Sequence, residues 1–331
     1  MEAGVIGAGS WGSAFGLHLS RLHIKTRLWV REKEILEELR ETRQNSVFLP
    51  GHAFPSSISF SEDVRATARS AEVLFIAVPS RFCRQVFWDI APFLSRDQTV
   101  VSLTKGIEEG SLKRMTEVME EIFRAHSVPH LAVLSGPSFA REVAERHPTA
   151  VVIASKELDF AKAVQRLVSN IYFRAYTSED VVGVELAGAM KNVVALATGI
   201  SDSLKFGHNS RAALITRGIA EMTRLGVKLG ATKETFLGLA GIGDLVLTCT
   251  AKLSRNYRVG YELGKGRPLS DILSEMKMVA EGVSTTISVR ELARKEDVEM
   301  PIVEEVYKIL YENKSPRESL RDLMLRKLKV E

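Results

Sequence analysis

The chain has 331 residues, 45% of them hydrophobic, enough to fill the cores of two domains of ordinary size. Against 45 Lys and Arg stand 41 Asp and Glu with the signs interspersed, so a formal charge of +4 leaves no nucleic-acid footprint. No run approaches the roughly 18 apolar residues that span a membrane, and Cys83 and Cys249 lie far apart without metal-ligand spacing, so a cytoplasmic chain with two packing cysteines and no metal is expected.

The elements begin with "AGVIGAGSWGSAFGLHLSRL": a short apolar strand, a glycine turn, then a helix with Phe15, Leu19 and Leu22 at helical spacing. Gly7, Gly9 and Gly12 form GxGxxG between that strand and that helix, the context in which this spacing binds a dinucleotide. The first glycine allows the tight turn, the second lets backbone approach a pyrophosphate, and the third lets helix pack on strand. "TRLWV" is a second strand, and Arg31 follows it. An arginine there suits the 2′-phosphate of NADP, whereas Glu32 beside it suits the free ribose hydroxyl of NAD, so both coenzymes are expected, with NADPH favoured.

"SISF", "EVLFIAVP", "TVVSLT", "HLAVLS" and "TAVVIAS" continue as short apolar runs bounded by polar or Gly/Pro signals and mostly separated by helix-like stretches. Strands rich in Val, Ile and Leu on both faces suit a buried, mostly parallel sheet, so residues 1–178 are expected to form a doubly wound α/β domain. Beyond "YFRAYTSED" long helical patterns take over, and residues 179–331 are expected to be all-helical, with the boundary near Ser178.

Ligands of an open α/β sheet collect outside the carboxyl ends of its strands. Lys105 in "VVSLTKG" lies there, as do Ser135, Gly136, Pro137 and Ser138 in "LAVLSGPSFA". Ser138 either caps an ordinary helix or joins backbone N–H groups in holding an anion. In the helical half, "VELAGAMKNVVALATGI" reads as the middle of a buried helix, yet Lys191 stands at its centre. Its face-mates Ala187, Gly188, Val194 and Ala195 include no acid. Such a lysine either snorkels toward water or a carboxylate, or stands beside a hollow that the small residues leave for a ligand.

Further on, "GLAGIGDLVLTCTAKLSRNYRVG" combines Asp244 in a glycine-rich turn with Ser254, Arg255 and Asn256, which form either a helix surface or a phosphate clamp built on the guanidinium. The final "RESLRDLMLRKLKVE" spaces Leu320, Leu323, Met324 and Leu328 helically with charges between them, as a solvated amphipathic helix would.

In this order and over nearly the whole chain, "GAGSWGSA", "VPS", "TKG", "SGPSFA", "GAMKN", "GIGDLVLTC" and "SRN" resemble the NAD(P)-dependent glycerol-3-phosphate dehydrogenases of bacterial type. The resemblance implies an N-terminal Rossmann domain, a helical domain of the 6-phosphogluconate-dehydrogenase kind and a homodimer. It also implies interconversion of dihydroxyacetone phosphate and sn-glycerol 3-phosphate, supplying phospholipid synthesis. It makes Lys191 the proton-transfer residue, with Asp244 holding the lysines, and puts Lys105, Gly136, Ser138, Lys191, Asp244, Ser254, Arg255 and Asn256 on the substrate. Beside the three glycines it assigns Ser10, Trp11, Arg31, Lys105, Ala140, Arg255, Val279 and Glu281 to the cofactor.

Hydride arriving at a ketone carbon leaves negative charge on oxygen, which an ammonium group must meet. A lysine buried near another cation can exchange protons close to neutrality. The hollow beside Lys191 is then a substrate site, and the lysine faces the cleft between the domains. Two other readings fit parts of the pattern. A reductase of another small keto or sugar acid would have no phosphate tail for the SRN triplet and Ser138 to clamp, and a dinucleotide-sensing module without turnover has no need of a lysine in an apolar helix.

Overall fold

Short apolar runs alternating with amphipathic stretches build the first of two compact units, residues 1–106 with 113–185, in the computed structural model, which describes every residue except Lys329 and Glu331. Its strands are β1 (Glu2–Ile6), β2 (Lys25–Trp29), β3 (Gln44–Asn45), β4 (Leu49–Ala53), β5 (Ile58–Ser61), β6 (Val73–Ile76), β7 (Thr99–Ser102), β8 (His130–Ser135), β9 (Thr149–Ala154) and β10 (Phe173–Ser178). Its helices are α1 (Ser10–Arg21), α2 (Lys33–Thr42), α3 (Val64–Ser70), α4 (Ser80–Ile90), α5 (Met115–Phe123), α6 (Ala140–Ala144) and α7 (Leu158–Val168).

Eight strands form one sheet in the order β10-β9-β8-β7-β6-β1-β2-β5, parallel except where β8 meets β9. The two-residue side-chain period gives the sheet a core on each face: Val5 and Phe75 pack on one, Ile6, Leu74 and Ile76 on the other. Strand β1 has β2 on one side and β6 on the other, so strand order reverses at β1 and a crevice opens beyond its carboxyl end.

Three strands lie outside the sequence expectations. Strands β3 and β4 pair as a small antiparallel hairpin: β3 has two residues, and β4, LPGHA, carries Pro and Gly in place of an apolar run. Strand β10 is an edge strand in which Phe173 and Ala175 are buried while Arg174 and Tyr176 are exposed, a mixed pattern without the apolar run that marked its neighbours. Beyond Ser178 no strand occurs among the described residues.

The second unit, residues 107–112 with 186–331, is helical. The chain enters it along α8 (Val181–Ser203) and continues through α9 (Gly207–Lys228), α10 (Lys233–Leu237), a π-type turn at Leu239–Gly243 and α11 (Asp244–Thr250). There follow α12 (Arg255–Gly264), α13 (Leu269–Ser274), α14 (Glu281–Lys295), α15 (Pro301–Tyr311) and α16 (Pro316–Met324). Helix α8 is long and apolar enough to cross a membrane, but 94% of its apolar window is buried inside the protein, which makes it a core helix. Its small residues admit neighbours at backbone distance. A Cβ on Gly199 would lie 2.1 Å from the Tyr257 carbonyl oxygen, and one on Gly260 equally close to that of Leu196. The expected C-terminal stripe is cut short: α16 ends at Met324, Leu320 and Leu323 are half-buried, and Met324 and Leu328 are exposed. Lys329 and Glu331 of that stretch lie outside the described residues.

Helix α15 opens with Pro301, so the next backbone N–H groups are its first orphan donors. The buried carboxylate of Glu221 on α9 accepts from Ile302 N at 2.9 Å and Val303 N at 3.4 Å. Burial outweighs these donors and pushes Glu221 up to about 7. The unfolded chain releases this proton near 4.5, so between there and about 7 the folded state holds more protons and stability falls as pH rises, levelling off above. Glu221→Gln keeps an acceptor and removes that slope. The gap in melting temperature between the variant and the parent is expected to widen from about pH 5 to pH 7.5, by up to about 3 kcal/mol of relative stability. A constant gap across that range would show that Glu221 does not titrate there.

Candidate active site

At the carboxyl end of β1 the chain turns through its glycines for three different reasons. Gly7 has φ +111°, and a Cβ there would lie 2.8 Å from the Ala77 carbonyl oxygen. On Gly12 a Cβ would stand 1.9 Å from the Gly7 carbonyl oxygen. The fold itself demands those two. A Cβ on Gly9 meets nothing within 4 Å, so only an incoming molecule gains from its bareness. Gly9 is also the N-cap of α1 without a side-chain cap, and the first turn carries no acid, the setting in which a helix start can receive an anion. The Trp11 Nε1 is buried with no partner among the described residues. Asn45 of the small hairpin, not singled out by the sequence, steadies the turn by donating to Ala8 O at 2.9 Å and Ser13 Oγ at 3.1 Å. These residues fit the pyrophosphate of a dinucleotide.

Just past β2, Arg31 and Glu32 are bound to each other, with Nε to Oε1 at 3.0 Å and NH2 to Oε1 at 2.8 Å. The Arg31 side chain is 55% exposed, and its guanidinium lies over the Phe82 ring at 4.8 Å, which Arg81 also covers at 4.6 Å. Sequence reasoning passed over Arg81 and Phe82; their signal is an aromatic residue beside a base in the first turn after β6, in "VPSRF". Beyond β7 and β8, Lys105 Nζ and Ser138 Oγ both donate to the Gly136 carbonyl, at 3.0 and 2.9 Å. Gly136 has φ +138°, and a Cβ there would come within 2.9 Å of Val151 Cα. Ser138 is not the cap of α6. That position belongs to Phe139, which makes no side-chain cap, and the Ser138 hydroxyl turns back on its own loop before Ala140 starts the helix.

In the helical unit the acid missing among the face-mates of Lys191 on α8 comes from α11. Lys191 Nζ donates to Asp244 Oδ1 at 2.5 Å and to Thr248 Oγ1 at 2.9 Å, and the Thr248 hydroxyl donates onward to the Asp244 carbonyl at 2.6 Å. Lys191 is 6% exposed and Asp244 1%. Asp244 is the first residue of α11, and the π-type turn at Leu239–Gly243 runs into it without a break. Thr248, four residues on, was not foreseen; its signal is the i, i+4 spacing from Asp244. Burial pushes the neighbouring Cys249 thiol up to about 12, so it is neutral. Ala187, Val194 and Ala195 are buried, and Val194 fills the space at Gly218, where a Cβ would meet its Cγ1 at 2.7 Å. The Val194 side of the expected hollow therefore serves helix packing.

The SRN triplet is no helix surface. Ser254 caps α12 by accepting from Tyr257 N at 3.2 Å. Asn256 donates to Asn192 Oδ1 at 2.9 Å and accepts from Gly282 N at 2.9 Å, tying α12 to α8 and α14. Ser254 and Asn256 are both buried. Arg255 NH1 donates to Val279 O at 3.2 Å beside the start of α14 at Glu281, and burial pushes its guanidinium down. Of the three, Arg255 keeps N–H donors suited to a phosphate.

Comparison with known proteins bears on both units. Residues 2–161 match the family profile described as NAD-dependent glycerol-3-phosphate dehydrogenase N-terminus, and residues 180–321 match that of the C-terminus. The glycerol-3-phosphate dehydrogenase (NAD(P)+) of Syntrophobacter fumaroxidans is 52% identical over 328 residues, 99% of this chain and 96% of its own. That of Geobacter sulfurreducens is 52% identical over 328 residues, 99% of this chain and 98% of its own. The crystal structure of glycerol-3-phosphate dehydrogenase from Coxiella burnetii, 39% identical, aligns with a TM-score of 0.94 over 98% of this chain and 99% of that one.

The contrast between the glycines is testable. Gly12→Ala forces a methyl group against the Gly7 carbonyl and is expected to cost about 1–3 kcal/mol of stability, read as a lower melting temperature. Gly9→Ala is expected to melt like the parent yet bind NADPH roughly tenfold more weakly by fluorescence titration. Unchanged binding by that second variant would remove the pyrophosphate from the turn.

Proposed function

The chain belongs to the family of NAD-dependent glycerol-3-phosphate dehydrogenases, and from that premise we propose that it reduces dihydroxyacetone phosphate to sn-glycerol 3-phosphate with Lys191 as the proton donor. The observation that carries this assignment is a buried ammonium group held at 2.5 Å by Asp244. Residues 1–178 serve as the dinucleotide-binding part and residues 179–331 as the substrate-binding part, in a cytoplasmic homodimer that feeds phospholipid synthesis.

Gly7, Gly9, Gly12 and the first turn of α1, with Ser10 and Trp11, hold the dinucleotide; Arg31, Lys105, Ala140, Arg255, Val279 and Glu281 complete its contacts. When bound, the reduced nicotinamide supplies the hydride for the ketone carbon. What the chain contributes is position and charge. Arg255 grips the substrate phosphate, with Lys105, Gly136, Ser138, Ser254 and Asn256 as further contacts. Lys191 Nζ meets the negative charge that develops on the carbonyl oxygen and gives it a proton, completing the alcohol. In the reverse direction the neutral amine accepts the hydroxyl proton. Asp244 and Thr248 fix the ammonium group in one place, so little reorganisation is left for the moment of transfer.

Both coenzymes serve, with NADPH preferred. Arg31 leaves its exposed pairing with Glu32 at small cost, since such surface pairs contribute little, and turns to a 2′-phosphate. Glu32 stays available for a free ribose hydroxyl.

Absorbance of NAD(P)H in the presence of dihydroxyacetone phosphate measures the activity directly. Lys191→Met keeps the stem and removes the ammonium group, and turnover is expected to fall by roughly a hundredfold or more while NADPH binding persists. A folded variant that keeps more than about a tenth of the activity would sink the assignment.

For the coenzyme, Arg31→Ala is expected to lower the specificity constant for NADPH by roughly tenfold and to leave that for NADH nearly unchanged. An equal loss for both coenzymes would show instead that Arg31 acts through its stacking on Phe82.

A further inference from the structure

At the end of α1 remote from the glycine turn, about 18 Å along a helix of this length, the first unit contains a cavity of about 440 Å³. Arg21, His23, Arg146 and His147 line it, together with Ile171 and Tyr172. Its volume falls in the range that holds small ligands, and nothing in the reaction described above uses it.

Among the described residues, neither arginine at this cavity is paired with a carboxylate. Arg21 donates to the Val143 carbonyl at 3.4 Å and to that of Ala144 at 2.8 Å, neutral acceptors at the end of α6. Its guanidinium is pushed down by burial and then by the charge of Arg146, with no carboxylate acting against them. The Arg146 guanidinium bonds no other group among the described residues. The nearby Glu145 carboxylate is already bound to Arg141, at 2.7 Å, with His147 at 3.8 Å. His18 also lines the cavity; burial holds it at about 4 and therefore neutral, with Nε2 against the Val168 carbonyl at 2.7 Å.

Backbone geometry adds a second observation. His23 (φ +59°) and Arg146 (φ +64°) both adopt the left-handed conformation just past the caps of α1 and α6, where glycine is the usual residue. Two helix C-termini, where a base is favoured, thus turn the side chains of His23 and Arg146 to line the same cavity. A dianion answers two guanidiniums, and phosphate matches their fork geometry. The Tyr172 ring and Ile171, which is 86% exposed, offer apolar surface to whatever the phosphate carries.

We infer that this cavity is a second anion site, separate from the catalytic machinery, that takes a small phosphate monoester bearing a flat apolar group. Phenyl phosphate is a probe of that class. Calorimetric titration into the full-length protein saturated with NADP+, which fills the dinucleotide site, is expected to detect binding at micromolar to millimolar concentration. Arg146→Asn removes the charge while keeping a residue that tolerates the left-handed backbone; affinity is expected to drop at least tenfold, the loss typical of a charged hydrogen bond. Arg255→Ala, which weakens the substrate clamp, should leave phenyl phosphate binding unchanged. Equal melting temperatures and sedimentation for parent and Arg146→Asn complete the expected set.

The inference is overturned if phenyl phosphate does not bind up to millimolar concentration, or if Arg146→Asn binds it like the parent. It is overturned equally if Arg255→Ala abolishes binding, which places the probe at the substrate clamp, or if Arg146→Asn changes the sedimenting mass, which makes the cavity a contact between copies. None of these outcomes touches the Lys191 assignment, which is measured by turnover.

Discussion

A lysine and an aspartate 2.5 Å apart in a helical interior, each nearly shut off from water, are costly to bury. Their mutual attraction and the added Thr248 bond offset that cost, whereas an apolar pair would avoid it altogether. Stability alone therefore does not account for the pair. What it provides is an ammonium group fixed in place, and much of the helical unit is arranged to make that possible. Glycines on α8, α9 and α12 let these helices close together, Gly199 on Tyr257, Gly260 on Leu196 and Gly218 on Val194. A π-type turn runs without a break into α11 and sets Asp244 at its first position, facing Lys191.

The α/β unit works by a different economy, in which backbone rather than side chain makes the site. Gly7 and Gly12 are needed because other main-chain atoms occupy the space of a side chain, while Gly9 keeps a space open that the fold does not fill. Asn45 and Ser13 then lock the loop from behind, so the helix end is held with its N–H groups free of side-chain caps. One unit thus spends close packing on a single charge, and the other spends glycine on an uncapped helix end.

Much of this was legible in the chain. The alternation of apolar runs and helical patterns gave the doubly wound sheet and the helical half, and the order of short motifs pointed to the family, as comparison along the whole length bears out. Strand β10 and the β3–β4 hairpin were missed because one is an edge with mixed side chains and the other joins a two-residue strand to one interrupted by Pro and Gly. Of the two alternatives for Ser138, the cap falls away for a similar reason. A serine ahead of a helix looks like a cap in sequence, but the loop through Gly136 places its hydroxyl on a carbonyl instead.

The sequence by itself determined most of the elements, the glycine turn and the presence of an anomalous lysine, because periodicity, turn chemistry and a charge among apolar residues are local properties. Only the tertiary structure decided what those residues meet. That Lys191 is paired 53 positions away, that Asn256 ties itself to Asn192 and Gly282, that Arg31 and Glu32 bind each other, and that Arg21 and Arg146 converge without an acid are all outcomes of packing. Contacts between distant segments depend on crossing angles and close approaches of whole helices, and no pattern along one helix encodes its neighbour.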